Sequence, residues 1–171
     1  MKIVLIGYRG TGKSTVASIV GTRLGWPTVS TDAEIVRRAQ LSIPDIVKQF
    51  GWDHFRTLES EVCQSLATRD HLVIDTGGGV IIRQENVQAL KPNAKVFWLT
   101  ASIGTISQRI KGDTQRPALM EGKTFIQEIE EILEQRNPLY QAAADYVIQT
   151  DARSIQTIAA EILTQFPEPV L

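Results

Sequence analysis

Between the apolar run Ile3–Ile6 and the helical pattern Ser14–Leu24 stands Gly7-x-x-x-x-Gly12-Lys13-Ser14. A strand, a glycine-rich turn and a helix that opens at a lysine form the first βα unit of an α/β fold. Glycines at 7, 10 and 12 let backbone N–H groups converge without a Cβ in the way, and the amino end of the helix adds its dipole. The turn is therefore a phosphate cradle. Gly10, Thr11, Gly12, Lys13, Ser14 and Thr15 are the candidate ATP contacts. Lys13 is set to reach the β- and γ-phosphates, and the Ser14 hydroxyl to ligate Mg²⁺ directly.

The rest of the chain repeats the alternation. Leu72–Ile74, Lys95–Leu99 and Asp145–Ile148, with a weaker run at Pro27–Ser30, are short, rich in Val and Ile, and bounded by Gly, Thr or Asp. Parallel strands covered on both faces have this character. Helical patterns lie between them: one opening at Ser42-Ile-Pro-Asp45 with a serine cap, then Asp53–Thr68 after Gly51, Ile103–Ile110, Thr124–Arg136 and Ser154–Phe166. The expected fold is a three-layer α/β/α domain around a doubly wound, five-stranded parallel sheet, with residues 1–171 forming one domain. Residues 32–68 hold helices but no strand and are expected to form a flap. Residues 111–123, polar with glycine near both ends, suit a lid. Residues 166–171 are expected to fray.

Composition excludes several classes of function. Eighteen basic residues against nineteen acidic ones give a net charge of −1, so no basic face advertises nucleic acid or an acidic membrane. No stretch is long and apolar enough to span a bilayer, and Met1-Lys2 leads straight into a strand without a signal-peptide pattern. A cytoplasmic monomer is expected. Cys63 is the only cysteine, lies in an apolar run, and is expected to be a packed thiol. His54 and His71 have no metal-like partners and receive no role. No Asn-Lys-x-Asp guanine reader is present. A short chain with a phosphate loop and none of these additions suits a compact small-molecule kinase.

The charged residues that remain form a set: Asp32 after the second strand, Phe55-Arg56-x-x-Glu59, Asp75-Thr76-Gly77-Gly78-Gly79 at the end of the third strand, Arg116-Pro117, and Arg136-x-Pro138-Leu139-Tyr140. With the phosphate loop, their order and spacing resemble shikimate kinase over nearly the whole chain. The resemblance implies transfer of the γ-phosphoryl of ATP to the 3-hydroxyl of shikimate, with Mg²⁺ as cofactor, in aromatic amino-acid biosynthesis. It implies that Arg56 and Arg136 bind the substrate carboxylate, a planar contact suited to guanidinium. Asp32 would accept hydrogen bonds from the hydroxyls and take the nucleophile's proton, and Gly78 and Gly79 would approach substrate by backbone. Arg116, with Lys13, would neutralise the transferring phosphate. Arg109 and Arg153 match adenine-side residues. Glu59 is expected to hold Arg56, and Trp98 and Tyr140 to pack.

The chain departs from that pattern in places. Most shikimate kinases carry Asp-x-Asp after the second strand; here Ser30-Thr31-Asp32 keeps only the second aspartate. Asp75 stands where a small residue is commoner, and is expected to replace the missing carboxylate near Mg²⁺, through water. Trp52 replaces a frequent glutamate, and Ala118 follows Arg116-Pro117; both are expected to alter packing alone. Simpler readings stand beside these: Asp32 as a helix cap, Arg56 and Glu59 as a surface ion pair, Gly77–Gly79 as a strand-exit turn, and Asp75 as a cap. A kinase for gluconate or a nucleotide, and a nucleotide-binding regulatory module without catalysis, are the competing functions.

Overall fold

The computed structural model describes residues 1–111 and 124–166, and these fold around one sheet. The strands β1 (Lys2–Ile6), β2 (Thr28–Ser30), β3 (Val73–Asp75), β4 (Ala94–Thr100) and β5 (Tyr146–Gln149) are ordered β2-β3-β1-β4-β5. Every pair is parallel. All five expected strands are present, displaced by a residue or so at their ends. Alternate residues of β1 feed opposite faces: Val4 and Ile6 join one apolar cluster, Ile3 and Leu5 the other. Because both faces are covered, the run is apolar throughout instead of alternating with polar residues.

One face carries α1 (Lys13–Leu24) and α7 (Ile155–Gln165), which bury Val16, Val20, Ile158 and Ile162. Phe166 ends this cluster, 2% exposed and edge-on to Trp26, so fraying does not begin at that residue. Residues 167–171 lie outside the described part. The other face is covered by α2 (Thr31–Ala39), α3 (Ile43–Leu66), α4 (Gln84–Leu90) and α6 (Phe125–Ala143); α5 (Ile103–Ile110) packs on α6. Cys63 is buried in this layer, as expected, and burial pushes its thiol up to about 12. Among the described residues no helix is long and apolar enough to cross a membrane.

One local feature removes a simpler reading and three differ from expectation. The cap of α2 is Ser30, whose side chain accepts from the Ala33 N–H, so Asp32 lies in the first turn and does not cap. Two expected helices adjoin as α3, with a break at Gly51 (φ 84°, ψ 170°). A 3-10 turn at Val80–Ile82 and the helix α4 follow the glycine run, and neither was expected. Finally, α6 opens on a capping box between Thr124 and Gln127 and runs through Pro138, although proline removes one helical hydrogen bond. Arg136 and Tyr140 therefore sit one turn apart on a helix, not in a connection before β5.

Candidate active site

The loop from β1 to α1 is built by backbone conformation. Gly12 caps α1 at φ 90°, ψ 11°, a left-handed conformation that costs other residues about 1 kcal/mol or more. Thr11 is buried, and its hydroxyl donates to the Tyr8 carbonyl at 2.8 Å. Lys13 Nζ donates to the Gly7 and Tyr8 carbonyls at 2.8 and 3.0 Å, which folds the ammonium over the loop. The Arg9 guanidinium pairs with Glu128 at 3.2 Å, both side chains mostly buried, and so ties the loop to the first turn of α6. Arg109 Nη1 bridges the Gly10 carbonyl and the Thr150 hydroxyl, each at 3.1 Å. Arg153 donates to the Gln149 carbonyl and pairs with Glu161. Arg109 thus ties the phosphate turn to the end of β5, and Arg153 lies in the loop that follows that strand.

A cavity of about 410 Å³ opens over the loop, lined by Arg9, Gly10, Gly12, Lys13, Ser14, Thr15, Ser30, Asp32, Asp75 and Thr76. The Ser14 hydroxyl donates to Asp75 Oδ2 at 2.6 Å. Ser30 and Asp75 are direct neighbours across β2 and β3, so the carboxylate on β3 occupies the place adjoining the one the sequence lacks. Burial pushes the Asp75 carboxyl above its ordinary 3.8, while the Ser14 hydroxyl and the Lys13 charge pull it down.

A second cavity, of about 500 Å³, is lined by Trp52, Asp53, Arg56, Ile82, Ile132, Gln135, Arg136 and Leu139. The two arginines of the expected acid site, eighty residues apart in sequence, thus face one space. Arg56 Nη1 donates to Glu59 Oε2 at 2.8 Å, with Arg56 12% and Glu59 0% exposed, so the pair is no surface ion pair. Burial pushes the Glu59 carboxyl up; the Arg56 guanidinium, then those of Arg136 and Arg83, pull it back. The Arg56 guanidinium also lies 5.4 Å from the Trp52 ring centroid and 5.2 Å from that of Phe55. Trp52 therefore does more than pack: its ring is a wall of the cavity and supports the arginine.

Gly77–Gly79 joins the two cavities. A Cβ at Gly77 would stand 2.6 Å from Asp32 Oδ1, and one at Gly79 would stand 2.2 to 2.4 Å from the Arg56 guanidinium. The absent side chains therefore make room for the protein's own carboxylate and guanidinium, which an ordinary strand-exit turn does not require. The Gly78 carbonyl accepts from the Tyr140 hydroxyl at 2.5 Å. Arg116 lies outside the described residues. Sequence reasoning missed Arg9 and undervalued Trp52 and Tyr140. The available signals were the spacings Trp52–Arg56 and Arg136–Tyr140, each four apart, which place each pair on one helix face.

A parallel sheet with a phosphate loop after its central strand, and a separate cavity lined by Arg56 and Arg136, defines a small P-loop kinase. The sequence matches the shikimate kinase family over residues 9–167. It is 37% identical over 164 residues to the shikimate kinase of Thermodesulfovibrio yellowstonii, covering 96% of this chain and 94% of that protein. The solved shikimate kinase of Acinetobacter baumannii, in complex with shikimate, superposes with a TM-score of 0.92 at 34% identity over 96% of this chain and 92% of that one. That from Aquifex aeolicus gives 0.81 at 30% identity, covering 97% and 96%. The chain belongs to the shikimate kinase family.

Proposed function

We infer that this chain phosphorylates shikimate, moving the γ-phosphoryl of ATP to the 3-hydroxyl and releasing ADP. The observation that carries the reading is the Gly77–Gly79 run, with Asp32 at one end and Arg56 at the other. Cα atoms two residues apart are separated by about 7 Å at most. A six-membered ring with a carboxylate on one side and hydroxyls on the other bridges a gap of that order. In this reading Arg56 and Arg136 take the carboxylate as paired forks. Asp32 orients the hydroxyl and accepts its proton as the new O–P bond forms, while Lys13 and Arg116 hold charge on the transferring group. Arg109 and Arg153 border the adenine, and Gly78 and Gly79 offer backbone to the acceptor. Phosphoryl transfer asks chiefly for positioning and charge neutralisation, and the set supplies both.

Magnesium fits the residues present. Ser14, Asp75 and Asp32 offer oxygen only, the donor type a hard cation prefers, and Ser14 and Asp75 already share a hydrogen bond. We propose that Ser14 binds Mg²⁺ directly and that Asp75 supports it from the neighbouring strand. When bound there, the ion would supply positive charge against the phosphates of the nucleotide. The helices of residues 32–68 act as the acceptor flap and residues 111–123 as the lid. In this reading the protein works as a monomer in the cytoplasm.

The test is a coupled ADP-release assay on shikimate, gluconate and a nucleoside monophosphate, with Asp32→Asn as control. Turnover of shikimate that falls by about 10²-fold or more in the variant is expected, the usual size of a general-base contribution. Turnover of gluconate in place of shikimate overturns the substrate. No turnover of any acceptor points instead to a nucleotide-binding module.

A further inference from the structure

Tyr140 is fully buried, and its ring stacks on Trp98 with centroids 5.6 Å apart and an interplanar angle of 24°. Packing alone does not require a hydroxyl at this position. The hydroxyl instead donates to the carbonyl of Gly78, sixty-two residues away, at the middle of the run that joins the two cavities. A trans peptide is planar, so its C=O and the following N–H point in opposite directions. No peptide bond among the described residues is cis. Fixing the Gly78 carbonyl toward Tyr140 therefore fixes the Gly79 N–H away from it, on the residue whose Cβ would run into the Arg56 guanidinium. Tyr140 also lies one turn beyond Arg136 on α6.

We propose that Tyr140 is a positioning residue of the acceptor site, holding the Gly78–Gly79 peptide so that the Gly79 N–H faces the acid bound by Arg56 and Arg136. Burial supports this role by pushing the phenol up to about 12, against the pull of Arg136, so the hydroxyl remains a donor at every working pH. The bond fixes the floor of the site to the helix that carries one of its two arginines. Substrate binding then finds an N–H donor already oriented, with no peptide to reorganise.

The inference rests on shikimate as the acceptor, so the wild-type protein is the reference. Tyr140→Phe keeps the ring and removes the donor. The expected result is a rise of about ten-fold in KM for shikimate, with kcat within two-fold and KM for ATP unchanged. Trp98→Phe, which thins the stack and leaves the hydroxyl, is expected to lower Tm without that KM shift. In the wild type, the Gly79 amide proton is expected to move in an NMR titration with shikimate. An unshifted KM in Y140F, an equal loss for both substrates, the same KM rise in W98F, or an unmoved Gly79 amide would each overturn the proposal. Failure of the wild type to turn over shikimate would instead overturn the functional reading, and this inference with it.

Discussion

Asp75 stands in a position that stability alone does not favour. Its carboxyl is 7% exposed and pushed above 3.8 by burial. A carboxyl whose pKa is raised in the folded state holds its proton there more tightly than in the unfolded chain. Stability from this group is thus complete below about 3.8 and falls as pH rises through the folded value. At neutral pH Asp75 costs the protein stability. Asp75→Asn is therefore expected to raise Tm at pH 7, with the gain shrinking toward pH 4. The same variant is expected to need several-fold more Mg²⁺ for half-maximal turnover. A titration of activity against Mg²⁺ that matches the wild type would remove Asp75 from the metal site. The phosphate loop was legible in the sequence because a glycine turn ahead of Lys13 and Ser14 declares its chemistry, whereas Arg56 and Arg136 were singled out only by the resemblance to shikimate kinase. What was not legible was their mutual contact across the fold: Ser30 beside Asp75 and Tyr140 on Gly78 both join segments distant in sequence.

The helices show the same limit at the next scale. The inner strands β1, β3 and β4 were legible because they are buried, which leaves apolar runs that local pattern alone reports; the edge strands β2 and β5 are partly exposed, and β2 gave the weaker run. Helix α4 was missed because it is seven residues long, and Arg83 at its cap makes no side-chain capping bond. Helix α6 was cut short because proline argues locally for an end, while the packing of Tyr140 and Ala143 carries the helix onward. The break in α3 was legible as Gly51. No atom lies within 4 Å of where its Cβ would be, so replacement meets no steric clash and only the backbone resists. Gly51→Ala is expected to destabilise the fold by about 1–3 kcal/mol, the range for such a strained conformation, as read by urea denaturation. A loss below about 0.5 kcal/mol would show that the two halves of α3 accept another geometry.

For the molecule as a whole, the cavity proposed for the acceptor draws its walls from α3, α6 and the 3-10 turn, all on one face of the sheet. A ligand that binds there stabilises only the assembled state. At a shikimate concentration a hundred times Kd, linkage gives about 2.7 kcal/mol, or roughly 5–10 °C in Tm for a chain of this size. Scanning calorimetry is expected to show that shift in the wild type and to lose most of it in Arg136→Ala. A wild-type Tm that ignores shikimate would argue that the acid cavity is not its site. The close approach of Gly79 to Arg56 has a consequence for how this protein can change over generations. Arg56 is pinned by Glu59, Trp52 and Phe55, so it has little room to yield to a methyl group at position 79. Shortening Arg56 first removes the guanidinium proposed to hold the acid; enlarging Gly79 first displaces it. Either single step is therefore expected to cost activity, so the two positions, twenty-three residues apart in the chain, are expected to constrain each other's change.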